Sequence, residues 1–175
     1  MKLGTYSFPG STSCNLQIKT NIANVVIFAL QVKSYGTYVK ATKYGGPAVM
    51  IPGNTSDYNL YLKYFPSTMQ IYHPASGLCL DDGGNEAKGT SSLSAVVSFK
   101  TCNSTSINQQ FIFTTGNQIY NPNWPNNQVC LNGNGGSYNG FQELILWGCS
   151  PSNSDEIFNI VLICPPGESI YLHDL

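Results

Sequence analysis

The segment Met69-Gln-Ile-Tyr-His-Pro-Ala-Ser-Gly-Leu-Cys-Leu-Asp81 recurs as Asn117-Gln-Ile-Tyr-Asn-Pro-Asn-Trp-Pro-Asn-Asn-Gln-Val-Cys-Leu-Asn132. Further downstream, a second cysteine and then a phenylalanine recur at the same spacing in both copies. A repeat period between about 20 and 50 residues indicates one supersecondary unit that has been copied in tandem. The repeat therefore decides the fold, and single local motifs are secondary to it.

A weaker copy without cysteines precedes these two, from Val26-Ile-Phe-Ala-Leu30 to Tyr61-Leu-Lys-Tyr-Phe65. Each copy contains four short apolar segments separated by Gly, Pro, Asn and Ser clusters, which is typical of strands joined by turns. We expect one closed all-β domain over residues 25–162, with repeats at about 26–66, 67–114 and 115–162. Residues 1–24 are expected to form an N-terminal extension, and residues 163–175 a C-terminal extension or a linker to a neighbouring domain of a longer protein.

Composition excludes several partners. Only 10% of the 175 residues are charged, the net charge is -1, and every basic residue is a lysine. Since no basic cluster is present, we expect neither nucleic acid nor an anionic membrane surface as a partner. The best apolar run, Ile22 to Val32, is too short to cross a bilayer, so membrane insertion is not expected.

Two sets of residues carry a resemblance to a known family. Cys79-Leu-Asp81 with Gln109-Gln-Phe111, and Cys130-Leu-Asn132 with Glu156-Ile-Phe158, resemble the ricin-type β-trefoil lectins, which carry Cys-Leu-Asp early in a repeat and Gln-x-Trp late. Copy one, with Gly36-Thr-Tyr-Val-Lys-Ala41, is more similar to the cysteine-free trefoil repeats of fascin-type proteins. The resemblance implies a β-trefoil with three pseudo-equivalent four-strand repeats and a non-catalytic carbohydrate-binding function that needs no cofactor.

In the ricin-type family a single repeat supplies an Asp that accepts from sugar hydroxyls, an aromatic platform two residues before the second Cys, and an Asn beside the late Gln. Here the set is divided between copies. Copy two has the polar residues Asp81, Asn108 and Gln109, but Lys100 stands in the platform position. Copy three has Trp147 as platform, with Asn132 in place of the Asp, and Asp155 and Glu156 in place of the Asn-Gln pair.

For each candidate, a purely structural role without a ligand also remains open. Asp81 also fits a turn residue that bonds its own backbone, Gln109 a core-facing repeat residue, and Trp147 a core aromatic. If Asp81 and Trp147 bind sugar, we expect both of them on the rim of the domain.

The six cysteines fit the repeat. Because copies two and three hold cysteines at equivalent places, we expect the bridges Cys79–Cys102 and Cys130–Cys149, which leaves Cys14 to pair with Cys164. Free thiols are the alternative if the protein is cytosolic. A metal site is not expected, because no Cys-x-x-Cys occurs and only two histidines are available. The first ten residues lack the pattern of a signal peptide, but the cysteines and the glycosylation sequons at Asn54 and Asn103 favour a secreted or cell-surface protein.

We therefore expect weak, non-catalytic binding of glycans or glycoproteins, with no enzyme activity. The neighbouring acids Asp81-Asp82 and Asp155-Glu156 point to opposite faces if they lie on strands, and no known catalytic motif occurs. The main alternative is a structural or assembly protein of a surface, matrix or filament that self-associates through its low-charge, Tyr- and Asn-rich surface. Protease inhibition is a weaker alternative because the Cys-Leu-Asp repeats belong to the lectin type. Actin bundling is a weaker one because the chain has six cysteines and no basic patch.

Overall fold

The computed structural model describes residues 27–42, 46–83, 95–124 and 129–163. Cys14, Cys164 and nearly all of the two expected extensions lie outside these ranges. The bridge between these two cysteines and the domain boundaries therefore stay predictions.

Each repeat is built from short strands, and a 3-10 helix precedes its last strand. Repeat 1 contains β1 (Ile27–Val32), β2 (Tyr38–Lys40), β3 (Val49–Ile51), the 3-10 helix Tyr58–Leu60 and β4 (Leu62–Phe65). Repeat 2 contains β5 (Gln70–His73), β6 (Leu78–Asp81), β7 (Ala95–Val96), β8 (Ser98–Thr101), the 3-10 helix Ile107–Gln109 and β9 (Ile112–Phe113). Repeat 3 contains β10 (Ile119–Tyr120), β11 (Val129–Asn132), β12 (Ser137–Tyr138), β13 (Phe141–Glu143), β14 (Ile145–Gly148), the 3-10 helix Ser154–Glu156 and β15 (Phe158–Leu162).

A closed ring of three backbone hydrogen bonds marks the pseudo-threefold axis. Ala48 N donates to Val97 O at 2.8 Å, Val97 N to Leu144 O at 2.9 Å, and Leu144 N to Ala48 O at 2.9 Å. These three residues are fully buried, and each comes from a different repeat. Ala48 directly precedes β3, Val97 lies between β7 and β8, and Leu144 lies between β13 and β14. The repeats are therefore arranged around a common axis, and the all-β trefoil expected from the sequence is confirmed.

Antiparallel pairing closes the domain. The first and last strands pair over five residues, from Phe28 opposite Leu162 to Val32 opposite Phe158. The same kind of junction joins β4 to β5 and β9 to β10. Because the first and last described strands pair in one sheet, repeat 1 packs directly against repeat 3.

The core follows the repeat. Phe111 and Phe158, the recurring phenylalanines, are fully buried, and Leu62 fills the equivalent place in repeat 1. The largest fully buried side chains of the main core come from all three repeats: Leu30, Leu62, Ile71, Leu80, Phe99, Phe111, Ile119, Leu131, Leu144, Leu146 and Phe158. Burial of one such side chain stabilises the fold by about 1.5 to 3 kcal/mol.

Among the described residues, no helix has the length and apolar character needed to cross a membrane.

Candidate functional site

The strand registers identify which residues of the three repeats are equivalent. Lys100 lies opposite Cys79, Trp147 opposite Cys130, and Ile51 opposite Tyr38. The platform position is therefore occupied by Lys100 in repeat 2, by Trp147 in repeat 3 and by Ile51 in repeat 1. By the same register, the second position after the early cysteine holds Asp81, Asn132 and, in repeat 1, Lys40.

Two disulfides anchor these strands. Cys79 is bonded to Cys102 and Cys130 to Cys149, with Cα–Cα distances of 4.9 and 5.0 Å. Both predicted bridges are thereby confirmed, and no cysteine of the described residues is free. Each bridge fixes the loop that follows the platform residue, so the environment of that residue is held in place.

In repeat 2 the predicted polar residues form a buried network around Gln109. Its side-chain oxygen accepts from Gln70 Nε2 at 3.0 Å and from Asn103 N at 2.9 Å. Its amide nitrogen donates to Asp81 Oδ2 at 3.2 Å and to the carbonyl of Thr101 at 3.0 Å. Gln109 is thus saturated within the protein and positions other groups, as expected for a core-facing repeat residue.

Asp81 is only 4% exposed, so the expectation of a rim position for this residue is wrong. Its Oδ1 accepts from the Lys100 ammonium at 2.8 Å and from Gly83 N at 2.9 Å, while Oδ2 takes the Gln109 amide. The lysine that replaces the aromatic platform therefore neutralises the carboxylate that a sugar would need. Its side chain is 49% exposed, so a cation covers this site in place of a stacking surface.

In repeat 3 the carboxylate of the equivalent network belongs to Glu156, which takes the position of Gln109. Glu156 is fully buried, and its Oε2 accepts from Gln118 Nε2 at 3.0 Å and from Ser150 N at 2.6 Å. Its Oε1 accepts from Asn132 Nδ2 at 3.3 Å and from Asn153 Nδ2 at 3.0 Å. Four donors compensate the buried charge, which is the condition for burying a carboxylate at all.

The two networks carry opposite polarity at equivalent positions. Repeat 2 places the charge on Asp81 and the amide on Gln109, whereas repeat 3 places the amide on Asn132 and the charge on Glu156. Each pair thus has one donor and one acceptor. Asn132 stands where the lectin pattern has Asp, and Glu156 stands where it has Gln, so the two replacements compensate each other.

Trp147 is the predicted site residue that presents a large apolar surface to solvent, and 37% of it is exposed. It lies on β14, opposite Cys130 of the Cys130–Cys149 bridge. Asp155 is partly exposed next to the buried Glu156, and its carbonyl accepts from Gly133 N at 2.7 Å. The equivalent Asn108 is also partly exposed, and its carbonyl accepts from Asp82 N at 2.9 Å. Trp147 is therefore exposed in repeat 3, as expected of a residue on the rim of the domain.

Sequence reasoning missed Gln70 and Gln118 as members of the networks. Both belong to the repeated Gln-Ile-Tyr that revealed the internal repeat, and each bonds the late Gln or Glu of its own repeat. The signal was a Gln at the same place in both copies, directly before a buried Ile. A polar side chain that recurs beside the core indicates a hydrogen-bond partner inside the protein.

A third buried carboxylate, that of Asp82, was also missed as part of a network. Asp82 is fully buried, and its Oδ2 accepts from Asn121 Nδ2 at 2.6 Å and from Trp124 Nε1 at 2.8 Å. Asn121 Nδ2 also donates to the carbonyl of Ile107 at 2.7 Å. These bonds connect repeat 2 to the first loop of repeat 3, so Asp82 holds the junction between the repeats.

The two sequons lie at equivalent places, just before the 3-10 helices of repeats 1 and 2. Asn54 and Asn103 are both exposed. Their side-chain oxygens accept from the residue two positions later, from Ser56 N at 3.0 Å and from Thr105 N at 3.1 Å. Glycosylation of these residues stays a prediction. In the part of the chain that the structure describes, no group of three or more His, Cys, Asp or Glu side chains could hold a metal ion.

Comparison with known proteins shows the fold alone. No protein family and no curated protein matches the sequence. The structure is similar to a non-toxic homologue of type II RIPs from Momordica charantia (bitter gourd), solved with α-methyl-D-galactoside, with a TM-score of 0.60 and 13% identity over 79% of this chain and 48% of that one. The chain thus spans about half the length of the bitter-gourd protein.

Two further structures are matched over nearly their whole length. The β-trefoil lectin of the Vibrio vulnificus hemolysin/cytolysin, with N-acetyl-D-lactosamine bound, gives a TM-score of 0.59 and 13% identity over 79% of this chain and 95% of that one. The designed threefold symmetric protein ThreeFoil gives 0.60 and 14% over 77% and 97%. The chain therefore has the fold of trefoil lectins, at low sequence identity.

Proposed function

We propose that this chain is a non-catalytic carbohydrate-binding module of a secreted or cell-surface protein, with its principal site around Trp147 in repeat 3. The observation that carries the proposal is the exposed indole on a strand that a disulfide and a buried carboxylate network hold in place. A rigid aromatic platform stacks on the apolar face of a pyranose without first losing conformational freedom.

The partners for sugar hydroxyls come from the partly exposed Asp155 and from exposed Asn134. The side chains of Asn132 and Glu156 are already bonded to each other, so their role is to position the strand and the neighbouring loop. In repeat 2 the set Asp81, Asn108 and Gln109 makes a poorer site, because Lys100 occupies the platform position and pairs with Asp81.

One platform and few free polar groups support weak binding. We expect a dissociation constant between sub-millimolar and millimolar for a monosaccharide, which corresponds to roughly 4 to 5 kcal/mol. Useful avidity then requires several modules or a multivalent glycan surface.

The test is a titration of the full chain with methyl α-D-galactoside, N-acetyl-D-lactosamine and a panel of other neutral glycosides, followed by amide NMR. Trp147→Ala should abolish the shifts around residues 129–156 and leave the dispersion of the spectrum unchanged. Lys100→Ala, the same change at the equivalent place in repeat 2, is the matched control and should leave that binding intact.

If Trp147→Ala binds the same glycans as the parent protein, the proposed site is wrong. If no glycan binds while sedimentation changes with the concentration of the protein itself, the assembly role replaces carbohydrate binding.

A further inference from the structure

Strands β12 and β13 of repeat 3 form a hairpin with a tight turn. Strands β12 and β13 are joined by Asn139-Gly140, which have φ angles of 51° and 82°. Positive φ at both central residues is the geometry of a tight two-residue hairpin turn, and Asn-Gly is its preferred sequence. Strand β13 also pairs with β3 of repeat 1, so the base of the hairpin is fixed to the domain.

The hairpin presents two aromatic side chains on one face. Tyr138 lies directly opposite Phe141 in the register, and the two residues are 38% and 41% exposed. Directly opposed residues of an antiparallel pair share a face and have Cβ atoms about 5 Å apart. Among the ring contacts within the described residues, none joins Tyr138 to Phe141, so the rings do not cover each other. Two neighbouring exposed rings on one face form an apolar surface that is open to a ligand.

A carboxylate lies on the same face. Glu143 is two residues after Phe141 on β13, and alternate residues of a strand point to the same side. A Cβ added to Gly136 would lie 2.9 Å from Glu143 Oε2, so the carboxylate rests on the bare backbone of this glycine. Within the described residues, the only ion pair is Lys100–Asp81, and no side chain bonds the Glu143 carboxylate. Its lone pairs are therefore available to donors from outside.

We propose that Tyr138, Phe141 and Glu143 form a second saccharide site, separate from Trp147, for a neutral pyranoside. The two rings stack on the apolar face of the sugar, and the carboxylate accepts from two adjacent hydroxyls in charge-assisted hydrogen bonds. This site does not depend on the one around Trp147, so either proposal can fail without the other.

The charges favour a neutral, hydroxyl-bearing ligand over other occupants of an aromatic surface. No lysine or arginine occurs between residues 129 and 163, and Lys40 lies in the same register row as Glu143 but two strands away, beyond Val49. The hairpin itself therefore offers no cation for a lipid phosphate or a nucleic acid. The other residues of the hairpin strands and turn, Ser137, Asn139 and Gln142, are uncharged, and Ser137 and Gln142 pair with each other on the face opposite the rings.

The test is a titration of the full chain with a panel of neutral oligosaccharides: cello-, chito-, malto-, xylo- and galacto-oligosaccharides and N-acetyl-D-lactosamine, read by amide NMR. At least one of them should shift the signals of residues 136–143 saturably. Phe141→Ala and Glu143→Gln should each weaken this binding by about tenfold, as expected from losing one aromatic contact or one charged acceptor. Ser137→Ala, on the opposite face of the same hairpin, should change it by less than about twofold, and Trp147→Ala should leave it intact.

Three outcomes overturn the proposal. The first is the absence of a saturable shift at the hairpin with every member of the panel. The second is a shift that choline, lysine or lipid vesicles produce and the sugars do not. The third is a shift that appears with rising protein concentration alone, which would identify a second copy of the chain as the occupant.

Discussion

Repeat 1 differs from repeats 2 and 3 in the side chains at one set of equivalent positions, which are apolar in repeat 1 and mostly polar in the other two. In repeat 1 these positions hold an apolar cluster of Ala29, Tyr38, Leu60 and Ile163. In the other two repeats, the position of Ala29 is taken by buried Gln70 and half-buried Gln118, the position of Leu60 by buried Gln109 and Glu156, and a disulfide takes the place of Tyr38. The fold tolerates either filling, provided that each is internally complete, because a buried polar group without its partner is costly.

Repeats 2 and 3 differ in a second way, by the exchange of charge and amide between Asp81–Gln109 and Asn132–Glu156. The exchange has a consequence at the surface. Where the charge is on the early residue, Lys100 neutralises it and displaces the platform. Where the charge is on the late residue, four donors inside the protein satisfy it, and the platform position is free for Trp147.

The largest effect is expected from Glu156→Leu, which gives repeat 3 the residue that repeat 1 has at this place. In repeat 1 Leu60 packs in an apolar cluster, but in repeat 3 leucine would leave four buried or half-buried donors without the Glu156 carboxylate. We expect the free energy of unfolding to fall by about 4 kcal/mol, in the range for breaking a buried charged network. Urea unfolding with the disulfides intact measures it.

Asp155→Ala is the control for this change, since it removes a neighbouring acid that is only partly buried. It should cost no more than about 0.5 kcal/mol, as for surface substitutions in general. A loss below about 1 kcal/mol for Glu156→Leu would show that the repeats tolerate incomplete networks, contrary to the comparison.

The fold could be predicted from the sequence because the signal is redundant. The spacing of Cys102 and Phe111 in copy two is repeated by Cys149 and Phe158 in copy three, so the three repeats and both described bridges followed from periodicity alone. The resemblance of repeat 1 to fascin-type repeats stays a prediction. Closure around the axis follows from backbone bonds of Ala48, Val97 and Leu144, whose side chains carry no distinctive pattern.

The site was less predictable, because burial and pairing depend on neighbours that are distant in sequence. The motif named Asp81 but could not show that Lys100, 19 residues away, bonds its carboxylate. Likewise the register that places Tyr138, Phe141 and Glu143 on one face depends on a turn at Asn139-Gly140 whose strands were not anticipated. Such residues come together in a network or a surface only when the chain is folded.

Removal of a single disulfide is the next largest effect. Cys130→Ser with Cys149→Ser, and separately Cys79→Ser with Cys102→Ser, should each lower the free energy of unfolding by about 3 kcal/mol in the chain-entropy model. The two bridges close loops of similar length, with sequence separations of 19 and 23 residues, so the two losses should be nearly equal. Denaturant unfolding of both double variants checks this. A difference of more than about 1.5 kcal/mol between them would show that the surrounding networks, and not the closed loops, set the contribution.

A smaller effect tests the exchanged polarity directly. Gln109→Glu alone places a second carboxylate against Asp81 and should cost about 2 kcal/mol, because like charges share a buried site. The double change Asp81→Asn with Gln109→Glu copies the arrangement of repeat 3 and should recover about 1 to 2 kcal/mol of that loss. Asn132 shows that an amide fits there, since its oxygen accepts from Asn134 N at 2.8 Å as Asp81 accepts from Gly83 N. Strictly additive losses in a double-mutant cycle would exclude the exchange as the explanation.

The smallest effect concerns His73, whose equivalent in repeat 3 is Asn121. Burial lowers the pKa of His73 below its ordinary value of 6.5, and the hydrogen bond of Nε2 to the Asn59 carbonyl at 2.8 Å opposes this only in part. Nearby Lys40 lowers this pKa further, whereas Asp57 raises it. Since Nε2 donates to a carbonyl, Nδ1 of the neutral ring accepts from Ser76 Oγ at 2.7 Å.

The unfolded chain therefore binds a proton at His73 before the folded protein does, so stability falls as the pH drops below about 6.5 and levels off below the folded pKa. His73→Asn should abolish this part of the pH dependence between pH 7.5 and pH 5, and the comparison isolates it because His173 is present in both proteins. Thermal unfolding of the two proteins across that range measures the difference. Identical slopes would mean that His73 titrates alike in the folded and unfolded chains, and that repeat 2 accommodates the charged ring as readily as the neutral one.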